Sequence, residues 1–388
     1  MATEIVNPWR PVLEGRDAER ARALIATIAD QLVDADLDDP SLAEGHAGIA
    51  LLHGYRARAG EADGADRATA AFELALARID SDPRPFLFYG YAGIAFALHH
   101  LTDVIGDVSE TLDQLDDLIA RSLAIDPWPN DWELMLGRIG IGVYALERGS
   151  STLLDGVVAY LAERAEHNAR GIAWRAHYPG APPELTHYNL GIAHGVAGAI
   201  GFLSAVCARP DAPAKARELL IGATTWLRSY EDPEQVPSVP MTIDHHIEQE
   251  VVVDGWCYGE PSTAVVLARA GQVLHDTELI EGARALALRC ARRPLESIAG
   301  WRLDVAMCHG SAGRAFMLHR LGNAFGDEEL RAAARDWYVR TLDRCDGGEL
   351  PDEPGVAWGR AGVALALLAA TSAIEPLWDR LFLLSLES

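Results

Sequence analysis

The chain alternates between short, nearly uncharged runs and longer segments in which charged and apolar residues are mixed. Alanine and leucine dominate the uncharged runs, which favours helix over strand because β-branched residues are few. These runs are residues 49–52, 94–98, 141–146 and 363–368. The mixed segments are residues 17–34, 63–80 and 327–344. They place alanine and leucine on one helical face and arginine with acids on the other, as in amphipathic helices. An apolar helix followed by an amphipathic one suggests a helical hairpin, with the apolar helix inside and the amphipathic helix facing solvent.

A Gly-x-x-Gly motif precedes most of the apolar runs and recurs along the chain. The first glycines of the copies are Gly45, Gly90, Gly137, Gly195, Gly310 and Gly359, with a degenerate copy at Gly259. Successive copies lie 45 to 64 residues apart, which is room for two helices and two loops. A single hairpin cannot bury its apolar face alone, but seven hairpins can do so by closing into a ring. We therefore predict an all-α fold, an α,α-toroid of seven helical hairpins in one domain spanning residues 1–388. The inner helices line the bore, and the glycine pairs at their N-termini act mainly as packing devices.

The composition narrows the functional classes. Apolar residues make up 49% of the chain and charged residues 23%, as in globular proteins with a large core. The net charge of −24 disfavours nucleic acids and anionic membranes as partners, because an acidic protein cannot neutralise the phosphate groups of either one. Residues 1–17 lack the apolar core of a secretory signal. The apolar stretch 190–208 contains four glycines, so we expect no membrane span. Five cysteines do not make a disulfide scaffold, which favours a cytoplasmic location.

The residues before the first glycine change character in the fourth to sixth copies. His194 precedes Gly195, Cys257 lies before Gly259, and Cys308-His309 directly precedes Gly310. Equivalent positions of repeats point to the same end of a ring, so these side chains should converge at one mouth. Two thiols and an imidazole are good zinc ligands that leave a fourth position open. The alternative is two buried structural cysteines and a core histidine.

Two further features accompany these motifs. Cys308 and His309 would point about 100° apart in a regular helix, so a shared ion requires an irregular loop. The proline-rich segment 210–254 predicts a long loop over the mouth rather than another hairpin, with His245 and His246 as a solvated pair. Residues 178–183 predict an ordered turn, and Cys207, Cys290 and Cys345 lie on helical stretches without assigned chemistry.

Three stretches carry a family resemblance. Residues 189–195, 256–259 and 308–310 resemble the signature stretches of the lanthionine synthetase C-like family, the lanthipeptide cyclases. The resemblance implies an α,α-toroid with one zinc ion per chain, held by Cys257, Cys308 and His309. It also implies thioether formation between a peptide cysteine and a dehydroalanine or dehydrobutyrine.

That chemistry suggests roles for the neighbouring residues. A free thiol has a pKa of about 8.5, and coordination to zinc deprotonates it. Attack of the thiolate leaves an enolate that needs a proton, for which His194 is the leading candidate acid. Tyr258 is a candidate for positioning the substrate or stabilising the enolate. For both residues a packing role is the alternative.

Two positions depart from the pattern of the class I cyclases. Glu133 stands where those enzymes have an aspartate, and we expect its carboxylate to orient an imidazole or a thiol. Val253 stands where they have an arginine, four residues before Cys257. Arg138, inside the third glycine motif, is a candidate for the replacement charge, with a salt-bridged role as the alternative.

Three functions fit these residues. The first is a stand-alone zinc-dependent lanthipeptide cyclase that acts on a dehydrated precursor peptide prepared by a separate dehydratase, since the residues before Ser41 are too few for a dehydratase domain. The second is an adductase that joins glutathione to dehydro residues. The third is a non-catalytic, zinc-stabilised scaffold that binds peptides. A glycosidase would need paired carboxylates in the bore, and Glu133 has only Glu44 as a partner among the motif positions.

Overall fold

The computed structural model describes residues 8–33, 37–81, 83–177, 186–243, 254–294 and 304–386. The helices in these ranges are α1 (Gly15–Val33), α2 (His46–Arg58), α3 (Gly64–Ala77), α4 (Tyr91–His100), α5 (Thr102–Ile105), α6 (Ser109–Leu123), α7 (Arg138–Arg148), α8 (Ser151–Arg164), α9 (Val196–Cys207), α10 (Ala214–Arg228), α11 (Glu260–Leu274), α12 (Thr277–Ala291), α13 (Ser311–Phe325), α14 (Glu328–Asp346) and α15 (Arg360–Thr371). The strands are β1 (Glu166–Asn168), β2 (Gly171–Ala173), β3 (Arg175–His177), β4 (Thr186–Asn189) and β5 (Thr242–Ile243).

An inner ring of helices follows the glycine motifs. Within the described residues, helices α2, α4, α7, α9, α11, α13 and α15 each begin directly after one of the first glycines, which serve as their N-caps. Each inner helix contacts the next, and α15 contacts α2, which closes the ring. These helices are buried on nearly all sides; in α13 every residue from Ser311 to Ala324 is buried. The predicted α,α-toroid is confirmed.

The outer helices cover this ring. Helices α3, α6, α8, α10, α12 and α14 each pack on the inner helix before them, whereas α1 packs on α15. The two ends of the chain thus build the last hairpin together, and the Trp9 indole N–H donates to the carbonyl of Ala369 at 2.9 Å. Among the described helices, none combines the length with the apolar character that crossing a bilayer requires.

The centre of the ring is filled by the C-terminal segment, residues 377–386. Its 3₁₀-helix Leu377–Phe382 places Trp378 on Phe316 of α13, with ring centroids 4.6 Å apart. Phe382 packs edge-on against Trp256 at 4.8 Å, and its carbonyl accepts the Trp256 indole N–H at 2.8 Å. Arg380 pairs with Glu147 of α7 at 3.2 Å. A segment that reaches helices on several sides of the ring lies inside it, so the inner helices surround a packed core.

Two details differ from the sequence-based picture. The prediction of a loop rather than a hairpin over residues 210–254 is wrong for its first part, because α10 is the outer helix of the fourth hairpin and buries a stripe at positions 216, 219, 220, 223, 224 and 227. Pro233, Pro237 and Pro240, which indicated a loop, lie beyond this helix, whereas Pro210 and Pro213 precede it. Short antiparallel strands, β1 with β2 and β3 with β4 and β5, are added to the helical fold. The predicted turn at residues 178–183 lies outside the described residues.

Each inner helix is preceded by a loop of the same form, here called a lead-in loop. Lead-in loops 1 to 7 are the residues described within the six positions before each first glycine: 39–44, 84–89, 131–136, 189–194, 254–258, 304–309 and 353–358. In six copies a Cβ on the second glycine would lie 1.9–2.5 Å from the carbonyl oxygen of the third residue before the first glycine. Such a distance excludes any side chain, so the glycine lets the loop fold tightly onto its helix. In the fifth copy Ser262, in the first turn of α11, replaces the glycine and donates to the carbonyl of Gly259 at 3.0 Å.

Backbone hydrogen bonds join neighbouring lead-in loops. The N–H of Trp256 donates to the carbonyl of Cys308 at 2.6 Å, and that of Cys308 donates to Ala357 at 2.9 Å. The N–H of Ile192 donates to the carbonyl of Cys257 at 3.1 Å. Loops 4 to 7 therefore form a continuous band along one mouth of the ring.

Replacing Gly255 with alanine should force lead-in loops 5 and 6 apart. A Cβ at Gly255 would lie 2.8 Å from the Cα of His309 and 2.9 Å from the carbonyl oxygen of Cys308. We expect the free energy of unfolding in urea to fall by about 1–3 kcal/mol, as for other overpacked sites. The control is Gly156→Ala in α8, where a Cβ meets nothing within 4 Å; it should raise stability by about 0.5–1 kcal/mol. Equal stability of the two variants would contradict this account.

Acid should weaken the fold through His319 of α13. This side chain is fully buried, and its Nε2 donates to the carbonyl of Arg10 at 2.7 Å. Burial, with the charges of Arg331 and Arg320, lowers its pKa to about 3, so the unfolded chain takes up the proton first. Stability should therefore decline as the pH falls below the unfolded pKa of about 6.5, and lose about 1.4 kcal/mol between about pH 7.5 and about pH 5.5.

Urea unfolding at the two pH values measures this loss. His319→Gln should show a smaller loss than the wild type by about that amount. Exposed His167 serves as the control, because His167→Gln should leave the loss as it is. A His319→Gln variant with the wild-type pH dependence would rule the explanation out.

Candidate functional site

The three predicted metal ligands meet at the mouth formed by the lead-in loops. One ligand atom each from Cys257, Cys308 and His309 lies within 4.8 Å of the others. The two cysteines occupy the same position in loops 5 and 6, two residues before the first glycine. Cys308 and His309 precede the first residue of α13, so the irregular loop lets adjacent side chains face one centre. Cys308 is buried, while Cys257 and His309 are partly exposed.

Hydrogen bonding sets the ionisation of this group. The hydrogen bond from the Cys308 thiol, with the hydrogen bond and charge of His309, lowers the pKa of Cys257 to about 5 against the opposing effect of burial. The same thiol–thiol hydrogen bond and burial raise the pKa of Cys308 well above its ordinary value. The pair therefore gives up its first proton readily and holds the second until another cation approaches.

Asp304 fixes the ring of His309. The Nε2 atom of His309 lies 3.0 Å from Oδ2 of Asp304, and the hydrogen bond to this carboxylate, together with Cys257, raises the pKa of His309 to about 10. Oδ1 of Asp304 accepts the backbone N–H of Ala306 at 2.8 Å, which holds the carboxylate in place. With Nε2 engaged, Nδ1 is the nitrogen left for a metal, the arrangement in which a carboxylate orients a ligating histidine.

The donor set fits a soft divalent metal. Two sulfurs and one imidazole nitrogen make three ligands of the kind that zinc takes, with room for a fourth. A second cluster in the described residues, Asp254, Glu260 and Cys290, also has its ligand atoms within 4.8 Å. There the carboxylates accept hydrogen bonds from the guanidinium of Arg293. That site already holds a cation, so it does not fit a metal.

His194 and Glu133 form a pair at the same mouth. Nδ1 of His194 lies 3.2 Å from Oε2 of Glu133. Glu133 is buried, and its two oxygens accept the backbone N–H groups of Met135 and Leu136, each at 2.7 Å. Burial lowers the pKa of His194, but the hydrogen bond and charge of Glu133, aided by the charge of Cys257, outweigh it and raise the pKa. The structure thus places the extra methylene of Glu133 where its carboxylate still reaches the imidazole.

The side chain of Asn189 holds the hydroxyl of Tyr258 in place. Nδ2 of Asn189 donates to this hydroxyl at 2.7 Å, while Oδ1 of Asn189 accepts the N–H of Gly191 at 2.9 Å. Asn189 ends strand β4, and the N–H of Leu190 donates to the carbonyl of Met241 beside strand β5 at 2.9 Å. The small sheet therefore positions lead-in loop 4.

Other residues singled out from the sequence lie elsewhere. The guanidinium of Arg138 lies over the rings of Trp128 and Tyr160, 4.8 and 4.1 Å from their centroids, so it packs outward and supplies no charge to the site. Val253, His245 and His246 lie outside the described residues. The thiols of Cys207, Cys290 and Cys345 are free and lie on α9, α12 and α14.

The sequence analysis missed Asn189 and Asp304. Both are the sixth residue before a first glycine, as is Asp39 in loop 1. In all three, Oδ1 accepts the N–H two residues ahead, at 2.7–2.9 Å, the usual Asx turn. Aligning the repeats at this position would have revealed a shared polar residue beside two of the candidate site residues.

Comparison with known proteins agrees with this architecture. The solved structure of nisin cyclase matches with a TM-score of 0.76 and 18% sequence identity, covering 94% of this chain and 97% of nisin cyclase. At this identity the match establishes the fold. The family model described as lanthionine synthetase C-like protein matches residues 36–383, nearly the whole chain. The chain therefore belongs to the lanthionine synthetase C-like family, as its three signature stretches predicted.

Proposed function

We propose that the protein is a zinc-dependent lanthipeptide cyclase, which adds peptide cysteine thiolates to dehydroalanine or dehydrobutyrine and forms lanthionine or methyllanthionine. The observation that carries the proposal is the meeting of Cys257, Cys308 and His309 within 4.8 Å, on the same mouth as the His194–Glu133 pair. A thiol-binding centre beside a titratable imidazole suits an addition that needs both a thiolate and a proton.

The proposed ligands are Cys257, Cys308 and His309, with Asp304 as the residue that orients His309. Zinc bound there supplies a positive charge that keeps a substrate thiol ionised at neutral pH. The two cysteinates balance the formal charge of the ion, so an added thiolate keeps its nucleophilicity. Because these thiols must stay reduced, we place the protein in the cytoplasm, with its peptide supplied by a separate dehydratase.

The addition balances without any co-reactant. The thiol proton passes to solvent, the sulfur bonds to the β-carbon of the dehydro residue, and the alkene electrons move to the neighbouring carbonyl as an enolate. The α-carbon then takes a proton, and the product is an isomer of the starting peptide. Glu133 engages Nδ1 of His194, which leaves Nε2 to give this proton. The Tyr258 hydroxyl, held by Asn189, would donate to the enolate oxygen.

Metal analysis tests the proposed ligands. Purified protein should contain about one zinc per chain, and Cys257→Ala, Cys308→Ala and His309→Ala should each lose it. Cys207→Ala, at the end of α9, should keep it. Asp304→Asn should weaken zinc binding by about 10–100-fold in a competition titration, because the asparagine cannot carry the same charge. The control is Asp39→Asn, at the equivalent position of loop 1, which should leave the affinity for zinc unchanged. If Cys257→Ala, Cys308→Ala and His309→Ala all retain zinc, the proposed ligands are wrong.

A synthetic peptide with one cysteine and one dehydroalanine tests the reaction. The wild-type protein should consume the free thiol without a change of mass, whereas a glutathione adductase would add the mass of one glutathione when glutathione is present. His194→Ala should keep its zinc and fold but lose at least about 100-fold in rate, the usual contribution of a general acid. If thiols persist with zinc bound and Cys257→Ala behaves like the wild type, the cyclase proposal fails. A fully active His194→Ala variant would remove the acid role.

A further inference from the structure

The residue directly before each first glycine forms a rim around the mouth. In the described residues, all seven of these side chains are partly exposed, although their neighbours in the loops are mostly buried. Loops 4 to 6 contribute His194, Tyr258 and His309 to this rim, which belong to the proposed reaction site. The equivalent residues of loops 7, 1 and 2 are Trp358, Glu44 and Tyr89, and nothing so far gives them a role.

Trp358 and Tyr89 stack on each other across loop 1. Their ring centroids are 5.8 Å apart, and the ring planes differ by 24°. The guanidinium of Arg84 lies over the Tyr89 ring, 5.4 Å from its centroid. The two stacked rings and the guanidinium form one cluster at the mouth, in which both aromatic side chains stay partly open to solvent. Exposed aromatic area costs free energy unless something covers it.

This pair adjoins the loop that carries Cys308. The N–H of Cys308 donates to the carbonyl of Ala357, the residue before Trp358, at 2.9 Å. On the other side, burial and the charges of Glu44 and Cys308 raise the pKa of Tyr89. The Tyr89–Trp358 pair therefore lies beside the loop that supplies two of the proposed ligands, where residues flanking a bound sulfur would meet it.

We propose that Tyr89 and Trp358 form a substrate platform that packs against an apolar side chain next to the reacting cysteine of the peptide. The inference rests on the proposed function and adds to it a preference among peptides. The two rings act in binding and make no contact with the transferred proton, so they determine KM rather than the rate of the chemical step.

Two synthetic peptides separate this role from a structural one. Both carry one dehydroalanine and one cysteine; in the first a phenylalanine flanks the cysteine, and in the second a glycine. Tyr89→Ala and Trp358→Ala should raise KM for the first peptide by about 10-fold and leave kcat within about twofold. KM for the second peptide should stay unchanged, and Tyr89→Phe and Trp358→Phe should behave like the wild type. All variants should keep the wild-type zinc content and unfolding midpoint.

The matched control is Tyr230→Ala. Tyr230 is also partly exposed and lies under an arginine, Arg170, at 4.7 Å, but it lies outside the rim; its loss should leave both KM values unchanged. Equal KM for the two peptides with the wild type, or equal effects of the alanine variants on both, would overturn the platform.

Binding of an unreactive peptide keeps this test independent of catalysis. With alanine in place of dehydroalanine, the phenylalanine peptide should bind the wild type about 10-fold more tightly than it binds Trp358→Ala in calorimetry. If the wild type consumes no thiol from either peptide, the cyclase proposal fails, yet the calorimetric difference still decides the platform. No difference in affinity would refute it.

Discussion

The close contact between a glycine and a carbonyl oxygen, repeated around the ring, is the constraint on which the rest of the structure depends. In six of the repeats described, no side chain fits at the second glycine. The loop before each inner helix therefore follows the same path. Residues at a given loop position then lie at the same level of the mouth in every repeat. Positions that recur along the sequence therefore lie on a circle around the mouth of the ring. Side chains at matching positions become neighbours although more than 40 residues separate them in the chain.

The candidate site differs from the other lead-in loops at only a few positions. The position two residues before the first glycine holds alanine in loops 1, 4 and 7 but cysteine in loops 5 and 6. Because Gly255 brings the backbones of loops 5 and 6 into contact, the two sulfurs share a hydrogen bond. The carboxylate and amide that steady His309 and Tyr258 come from one further position. The proposed metal ligands and their supports thus occupy positions of the ordinary structural repeat.

The ring and the thiol–imidazole group were predictable from the sequence because each depends on a periodic signal. The Gly-x-x-Gly motif marks the start of six inner helices and a degenerate copy marks the seventh, while Cys257 and Cys308 fall at one repeat position. Helix α10 was missed because prolines beyond it outweighed its buried apolar positions 216, 219, 220, 223, 226 and 227. Tyr89 and Trp358 share a repeat position, but loop 1 lies between their loops in the ring, so the repeat alone does not indicate that their rings stack. The role of Asp304 depends on a side-chain rotamer, which no sequence pattern specifies.

The C-terminal segment within the ring determines how a long polypeptide can use the site. Trp378 and Phe382 join the inner helices in a continuous apolar plug, so the toroid is a cup rather than a tube. Under the proposed function, a peptide that delivers a sulfur to Cys257 and Cys308 cannot pass through the ring, so it enters and leaves at the same mouth. The proposed reaction would then form successive thioether rings in one peptide by repeated binding and release, because each new ring must leave the mouth before the next pair of residues can enter.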